Sequence, residues 1–258
     1  MNASPPRLDD LRRAIDEIDD GLLALLYRRF EVVAEVKQAK SAEAASTPLR
    51  PAREMQILKR LVAKAEKSLP PRLLVRLWRS IITEATLQQS PVTVHVSRKL
   101  AGAMAHRLLI DDYYSNFTVS ECRDEAQALV QVNVAPTDIA IVETGGNWLE
   151  PFLEGKGGKA QVIATLPVLR DAASPALLVF GVAPGDATGG DETLLVSKGS
   201  LPRDFALRPV WQVKHGSYRL SALAGFQSER ESPLVGLMRS NPGLGLKVAG
   251  RYPAAIII

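Results

Sequence analysis

Six residues among the first ninety carry a charge or a side-chain amide that can bind an anion. They are Arg12, Arg29, Lys40, Arg53, Glu54 and Gln89. A guanidinium group binds a carboxylate through two parallel hydrogen bonds, and a side-chain amide donates hydrogen bonds without titrating. The set supplies cations and an amide where a hydrolase would supply a nucleophile and its base. It predicts a binding site for a small dianion.

Three of these residues lie in residues 8–40, which contain no proline and only one glycine. The apolar residues follow the 3/4 spacing of one helical stripe. They are Leu11, Ile15, Ile18, Leu22, Leu25, Leu26, Val33 and Val36. A single helix of this length would extend about 50 Å, whereas a compact domain of about ninety residues is only some 30 Å across. The helix therefore needs a partner.

The positions of the cations indicate a site shared between two chains. Arg29 and Lys40 are eleven residues apart, so at about 100° per residue they share a face. Arg12 lies roughly 25 Å along the axis from Arg29 and on a different face. In an antiparallel two-fold dimer, Arg12 of one chain can reach the pocket that holds Arg29 and Lys40 of the other.

Two further helices are predicted, over about 50–67 and about 71–89. The first follows the turn-like stretch SAEAASTPLRP, and the second follows Ser68-Leu69-Pro70. Ala85 and Gln89 are four residues apart and would share a face of the third helix.

The segments LRRAIDEID, LLALLYRR, VAEVKQAK, RPARE and IITEATLQQ resemble the all-helical class of chorismate mutase over about residues 8–90. The resemblance implies a three-helix domain that forms an intertwined homodimer. It also implies conversion of chorismate to prephenate in phenylalanine and tyrosine biosynthesis, without cofactor or metal. This pericyclic rearrangement needs a rare conformer to be held and negative charge on the breaking ether oxygen to be stabilised.

The resemblance also implies roles for the charged residues. Arg29 and Arg12 of the other chain would pair with the two substrate carboxylates. Lys40 and Gln89 would donate to the ether oxygen. Arg53 would add a further positive charge to the lining of the substrate pocket.

One further role and two departures concern the second and third helices. Glu54 would accept a hydrogen bond from the substrate hydroxyl. Ala85 stands at a substrate-binding position where the family often has Ser, so a secondary carboxylate contact is expected to be lost. Arg50 stands where the family often has Asp, and little effect is expected if only its backbone N–H is used.

A lone cation on a helix is usually a solvated surface charge. That interpretation is expected to hold for Arg13, Arg28, Lys37, Lys59 and Arg60. Taken singly, Arg53-Glu54 would be an exposed pair that contributes little to stability, and Gln89 an ordinary helix end. The joint pattern of six positions favours a site.

Composition limits the other classes of function. The chain has 258 residues and a net charge of +4. Residues 1–91 carry 16 Lys+Arg against 12 Asp+Glu, and the remainder carry 16 against 16. This excess suits an anionic ligand but is too slight to indicate nucleic-acid binding. Cys122 is the single cysteine, and no Cys/His cluster has zinc spacing.

The sequence has no apolar run of 18 or more residues, and MNASPPRLDD lacks the apolar core of a signal peptide. A cytoplasmic protein that binds no membrane is expected. His95, His106 and His215 are scattered through the sequence and are expected to be structural.

After Pro91 short β-rich runs alternate with helical ones, which is typical of an α/β region. Strands are predicted at VTVHV, FTVSE, DIAIVE, QVIATL, PALLVFGV, 193–197, 209–214, 217–224 and LKVAGRYP, with helices near 100–110, 124–131 and 233–239. The runs PALLVFGV and AAIII are expected to be buried. The predicted domains are 1–91, 92–187 and 188–258.

The second half weakly resembles prephenate dehydratase, which often follows this mutase in fused chains. DIAIVE resembles one of its strands, while GDETLLVS and LKVAGRYP resemble the start and end of its regulatory ACT domain. The catalytic Thr-Arg-Phe triplet is missing, and Pro175–Phe180 stands at its place. The phenylalanine-binding motifs Gly-Ala-Leu and Glu-Ser-Arg-Pro are also missing. A region without dehydratase activity is expected, and a structural, partner-binding or altered effector role stays open.

Two alternatives to an active mutase remain. The helices could dimerise a small-molecule-sensing regulator whose sensor is the α/β half, which would leave Arg53, Glu54 and Gln89 without a role. The chain could also be a mutase pseudoenzyme that acts as an interaction module, which Ala85 mildly favours.

Overall fold

The computed structural model of the chain describes residues 7–40, 47–66, 68–171, 174–228, 230 and 233–258, with the side chains of Ala39 and Lys40 excluded. The chain divides into two compact units, Met1–Ser46 and Thr47–Ile258. The predicted turn-like stretch after the first helix falls largely on residues 41–46, which lie outside the described residues.

The first unit consists of helix α1, Leu8–Lys40. The structure confirms the predicted single helix of 33 residues. Leu26, Phe30 and Val33 are half-buried, and ten other large apolar side chains are between 41% and 64% exposed. The exposed ones are Leu8, Leu11, Ile15, Ile18, Leu22, Leu23, Leu25, Tyr27, Val32 and Val36. An exposed apolar stripe of this length is typical of a surface that another chain covers.

The second unit begins with helices α2, Pro51–Lys64, and α3, Pro71–Leu87. Both have proline in the first turn, where a missing N–H has no cost. Helix α2 ends three residues before its predicted limit because Ala65 has extended backbone angles. Both helices are confirmed; their starts lie within one residue of the prediction, and their ends come three and two residues earlier.

The remaining helices are α4 Arg98–Gly102, α5 Met104–Tyr114, α6 Glu125–Val134, α7 Leu149–Leu153 and α8 Pro233–Ser240. The helix predicted near 100–110 is present but is divided into α4 and α5. Extended backbone at Ala103 (φ −86°, ψ 101°) separates α4 from α5. Helix α6 begins near its predicted start because the Asp124 carboxylate accepts a hydrogen bond of 2.9 Å from the Gln127 N–H.

Eleven strands are found among the described residues. They are β1 Thr93–Ser97, β2 Thr118–Cys122, β3 Ile139–Glu143, β4 Gln161–Leu166, β5 Leu169–Arg170, β6 Leu177–Gly181, β7 Asp191–Lys198, β8 Pro209–His215, β9 Tyr218–Ala224, β10 Lys247–Pro253 and β11 Ile256–Ile257. All nine predicted strands are present, and β5 and β11 are additional.

Nine strands form one sheet in the order β2-β1-β3-β6-β4-β10-β7-β9-β8, and β5 pairs with β11 separately. Strands β1, β2 and β3 are mutually parallel, and β10 is parallel to β4. The other pairings in the sheet are antiparallel. The predicted α/β class of this region is confirmed. The sheet runs across the predicted boundary at 187/188, and the three domain limits stay predictions.

Helices α2 and α3 share a hydrophobic core with the α/β region. Met55, Leu58 and Val75 belong to the same buried cluster as Val94 of β1 and Ile110 of α5. This packing places the second and third helices of the predicted mutase within the compact unit that contains the sheet.

The two apolar runs differ in burial. Strand β6 is wholly buried, as predicted, with Leu177–Phe180 at 0% exposure. The prediction for AAIII was wrong at its end, because Ile257 and Ile258 are 61% and 62% exposed.

Candidate active site

Two of the predicted site residues are described on α1. Arg12 is exposed and forms an ion pair of 3.4 Å with Asp9, three residues earlier. Arg29 is half-buried, and its Nη1 atom is buried without a hydrogen-bond partner among the described residues. Burial lowers the pKa of Arg29. The side chain of Lys40 lies outside the described residues.

The next three positions lie at the start of helix α2, with Arg53 and Glu54 in its first turn. Arg50 precedes the helix, and its guanidinium Nη1 donates to the carbonyl oxygens of Thr47 and Leu49. Arg53 is exposed, whereas Glu54 is half-buried. The adjacent positions therefore face different surroundings.

On α3, Ala85 is buried and Gln89 is half-buried. The Nε2 atom of Gln89 donates a hydrogen bond of 3.1 Å to the Ala85 carbonyl oxygen. These two residues share a face, as the spacing of four predicted.

Arg79 of α3, which the sequence patterns did not single out, contacts Glu54 directly. Arg79 is only 6% exposed, and its Nη1 donates to Glu54 Oε2. Its Nε and Nη2 atoms donate to the Tyr113 carbonyl oxygen at 3.1 and 3.0 Å, and its Cζ lies 5.0 Å from the centre of the Tyr114 ring. Although burial opposes the charge, the Glu54 carboxylate and the two tyrosines raise the pKa of Arg79. Burial also raises the pKa of Tyr114 to about 12.

A signal for Arg79 is present in the sequence. Val75, Arg79, Thr83 and Thr86 follow the 3/4 spacing of a buried helical stripe, and all four are buried. A charged residue within such a stripe requires a buried partner. The sequence could not show that the partners would be Glu54 and a carbonyl of α5.

A cavity of about 30 Å³ lies beside this ion pair, lined in part by Glu54, Arg79, Thr83, Tyr113 and Tyr114. One water molecule needs roughly 10–15 Å³ of such volume. The cavity is therefore too small for a dianionic metabolite, and it belongs to the packing between α2, α3 and α5.

The α/β half contains a second polar cluster, at the carboxyl ends of β1 and β3. Glu143 lies 2.8 Å from Lys99 Nζ and 3.3 Å from His106 Nδ1. Its backbone N–H donates to Glu125 Oε1 at 3.2 Å. Burial is the main cause that raises the pKa of Glu125 to about 7.

The other histidines have structural contacts. His95 Nε2 lies 2.9 Å from Asp138 Oδ2, and both side chains are largely buried. His215 Nε2 contacts the Gly146 carbonyl oxygen. The prediction that Lys59 is a solvated charge was wrong. Its Nζ donates to the Gly190 carbonyl oxygen at 3.0 Å.

In the part of the chain that the structure describes, no group of three or more His, Cys, Asp or Glu residues is arranged to hold a metal ion. Within the same residues, none of the helices has the length and apolar character needed to cross a membrane.

Comparison with known proteins gives a family match to the helical part and a similar relative. Residues 11–90 match the family model for chorismate mutase type II. The intracellular chorismate mutase of Mycolicibacterium smegmatis (strain ATCC 700084 / mc(2)155) is 40% identical over 57 residues, covering 22% of this chain and 54% of that relative. The match thus spans about half the length of that relative.

Three solved structures have similarity over most of their own length. One, described as GqqA, a novel type of quorum quenching acylase, has a TM-score of 0.43 and 12% identity, covering 64% of this chain and 95% of that chain. Prephenate dehydratase from Streptococcus mutans has a TM-score of 0.38 and 12% identity, with 66% and 100% covered. Prephenate dehydratase from Arthrobacter aurescens, in complex with L-Phe, has a TM-score of 0.39 and 15% identity, with 63% and 92% covered.

Proposed function

We propose, from the premise that residues 11–90 are a chorismate mutase type II domain, that this chain rearranges chorismate to prephenate. The observation that carries the proposal is the match of this family over all three N-terminal helices. Arg12, Arg29, Lys40, Arg53, Glu54 and Gln89 all lie between residues 11 and 90. The reaction needs positioned charge and amide donors, which these residues supply.

The surroundings of the two arginines on α1 support carboxylate binding. Arg29 is half-buried with an unpaired Nη1, so a carboxylate would satisfy a donor that has no partner among the described residues. The exposed ion pair between Arg12 and Asp9 contributes little to stability, so a substrate carboxylate can replace Asp9 at small cost.

We propose a homodimer because of α1. Ten of its large apolar side chains are at least 41% exposed. Burial of apolar surface stabilises association by roughly 25 cal/mol per Å². A second copy that runs antiparallel would cover this stripe and bring its own Arg12 to the site of Arg29.

We propose that the α/β half does not dehydrate prephenate. The Thr-Arg-Phe triplet is missing from the sequence, and strand β6, which follows at the corresponding place, is wholly buried. Its side chains cannot assist the departure of a substrate hydroxyl, because that step needs a polar group in contact with the substrate.

Loss of chorismate absorbance, with prephenate identified as the product, tests the mutase. Turnover by the full chain is expected. A chain that binds chorismate without turnover would be a pseudoenzyme, and a chain that neither binds nor converts it would favour the regulator alternative. Both results would overturn the proposal.

Incubation with prephenate tests the second half. No phenylpyruvate above a no-enzyme blank is expected, and phenylalanine is expected to leave the mutase rate unchanged. Phenylpyruvate formation would overturn the proposal that the α/β half lacks dehydratase activity. Inhibition by phenylalanine would show an effector site without the usual motifs.

A further inference from the structure

Three polar side chains, Arg76, Arg79 and Asn116, connect α3 to α5 or to the residues just after α5 in the α/β half. Arg76 Nε lies 3.0 Å from Asp112 Oδ1, and Arg79 donates to the Tyr113 carbonyl oxygen. Asn116, just after α5, donates to the Ser80 carbonyl oxygen and to Glu84. These contacts follow one face of α3 at helical spacing, so α5 fixes this helix along its length.

The contact at Arg79 differs from the other two because it continues to α2. The planar guanidinium donates to Tyr113 through Nε and Nη2 and to Glu54 through Nη1. The side chains of Arg79 and Glu54 are only 7% and 16% exposed. By contrast, the side chain of Arg76 is 67% exposed. Limited solvent access strengthens a charge-assisted contact.

Helix α5 is itself anchored in the α/β half. The Tyr113 hydroxyl oxygen accepts hydrogen bonds from the backbone N–H groups of Val168 (3.1 Å) and Leu169 (3.3 Å). A continuous set of contacts therefore connects Leu169 at β5, Tyr113 of α5, Arg79 of α3 and Glu54 of α2.

We propose that the α/β half supports the mutase site and that Arg79 is the positioning residue through which it acts on Glu54. This inference rests on the proposed function, in which Glu54 accepts a hydrogen bond from the substrate hydroxyl. Arg79 bonds to one carboxylate oxygen, Oε2. An ionised carboxylate has a second oxygen that can accept the hydroxyl.

The physical reason is the loss of side-chain freedom. Without Arg79 the Glu54 carboxylate could occupy several rotamers, so its hydrogen bond to the substrate hydroxyl would weaken in the ground state and the transition state alike, which raises KM and leaves kcat unchanged. The fork geometry matters because Lys has one point charge and cannot bond Tyr113 and Glu54 in the same fixed plane. Residues 92–258 thus have a role in the mutase that requires no chemistry of their own.

The test uses four full-length proteins: wild type, Arg79→Met, Glu54→Ala and the double variant. Arg79→Met is expected to raise KM for chorismate about tenfold, the loss typical of a hydrogen bond to a charged group. In the Glu54→Ala background the same substitution is expected to add little, because its target is gone. For a fifth protein, Arg79→Lys, the KM for chorismate should fall between those of wild type and Arg79→Met.

Two further variants separate positioning from general damage. Arg76→Gln removes an α3–α5 contact that does not touch Glu54, so KM is expected to stay at the wild-type value. Tyr114→Leu removes the ring beside the guanidinium and should raise KM by less than Arg79→Met. Additive losses in the double variant would overturn the inference. A reduced kcat at constant KM in Arg79→Met would also overturn the inference, because it indicates fewer folded molecules.

Thermal unfolding of the same four proteins makes the outcome independent of activity. If wild type forms no prephenate, the proposed function fails, and the melting temperatures still decide the contact. Non-additive shifts would retain the link from α5 to Glu54, whereas additive shifts would overturn it.

Discussion

The carboxylate of Glu125, at the start of α6, accepts a 3.2 Å hydrogen bond from the backbone N–H of Glu143, at the end of β3. It also lies against the turn that follows, since a Cβ atom on Gly146 would be 2.2 Å from Glu125 Oε1. This close approach explains why the side chain is only 7% exposed. Burial in turn raises the pKa of Glu125 to about 7.

Glu125 should make the protein less stable as the pH rises. The pKa of Glu125 is ordinarily 4.5, and in the folded protein it is about 7. Between these two pH values the folded state binds the proton and the unfolded state does not. Stability therefore falls from about pH 4.5 and the loss is complete above about pH 7, on the order of 2–3 kcal/mol. Thermal unfolding from pH 5 to 8 should show this fall in wild type and a flatter dependence in Glu125→Gln. Glu121→Gln, an exposed control, should keep the wild-type slope.

Arg29 is expected to be essential for turnover. A charge-assisted contact that tightens in the transition state typically contributes about 3 kcal/mol, or roughly a hundredfold in rate. Arg29→Ala and Lys40→Ala should lower kcat/KM at least that far in a chorismate assay. Arg28→Ala, an exposed neighbour, should retain wild-type activity. Near-normal turnover in Arg29→Ala would contradict its role.

Each site is expected to use Arg12 from the other chain. Mixing inactive Arg12→Ala chains with inactive Lys40→Ala chains should restore activity after subunit exchange, because one of the two sites in each heterodimer then lacks both lesions. The measurement is the rate before and after exchange. A mixture that stays inactive, although heterodimers are shown to form, would count against a shared site.

Gly250 is expected to hold the two parts of the sheet together. It pairs β10 with Val162 of β4, and an added Cβ would lie 2.2 Å from the Val162 carbonyl oxygen. Gly250→Ala should therefore lower the free energy of unfolding by about 1–3 kcal/mol. The matched control is Gly236→Ala in α8, where nothing lies within 4 Å and the change should stabilise by about 0.5–1 kcal/mol. Denaturant unfolding of both variants measures the difference, and equal effects would contradict the argument.

The sequence predicts elements well here because their signals are local. The apolar stripe of α1 predicts a helix and the apolar run of β6 predicts a strand, each from neighbouring residues alone. What the sequence did not predict depends on contacts between distant segments. The partners of Arg79 come from α2 and α5, and the pairing of Gly250 with β4 spans almost ninety residues. These contacts follow from tertiary packing, which the periodicity of apolar residues does not predict.

The candidate site, like the fold, could be predicted from the sequence only in part. The resemblance of short local motifs predicts roles for Arg29, Glu54 and Gln89, and these roles stay predictions. The motifs could not show that Glu54 would be bonded to a buried arginine, since this depends on how α2, α3 and α5 pack. The burial of Arg29 likewise appears only in three dimensions.

Gln89 is expected to donate to the substrate while it keeps one contact within the chain, the hydrogen bond from its Nε2 to the Ala85 carbonyl oxygen. The amide nitrogen has two N–H donors, so the second can donate to the ether oxygen of the substrate. Gln89→Glu should be active only in acid, because an ionised carboxylate cannot donate to either oxygen. Measurement of kcat/KM from pH 5 to 8 should show activity that rises as the pH falls, while wild type stays nearly flat through neutrality. Gln88→Glu, at the exposed neighbouring position, should follow wild type. A Gln89→Glu variant as active at pH 8 as at pH 5 would remove Gln89 from this role.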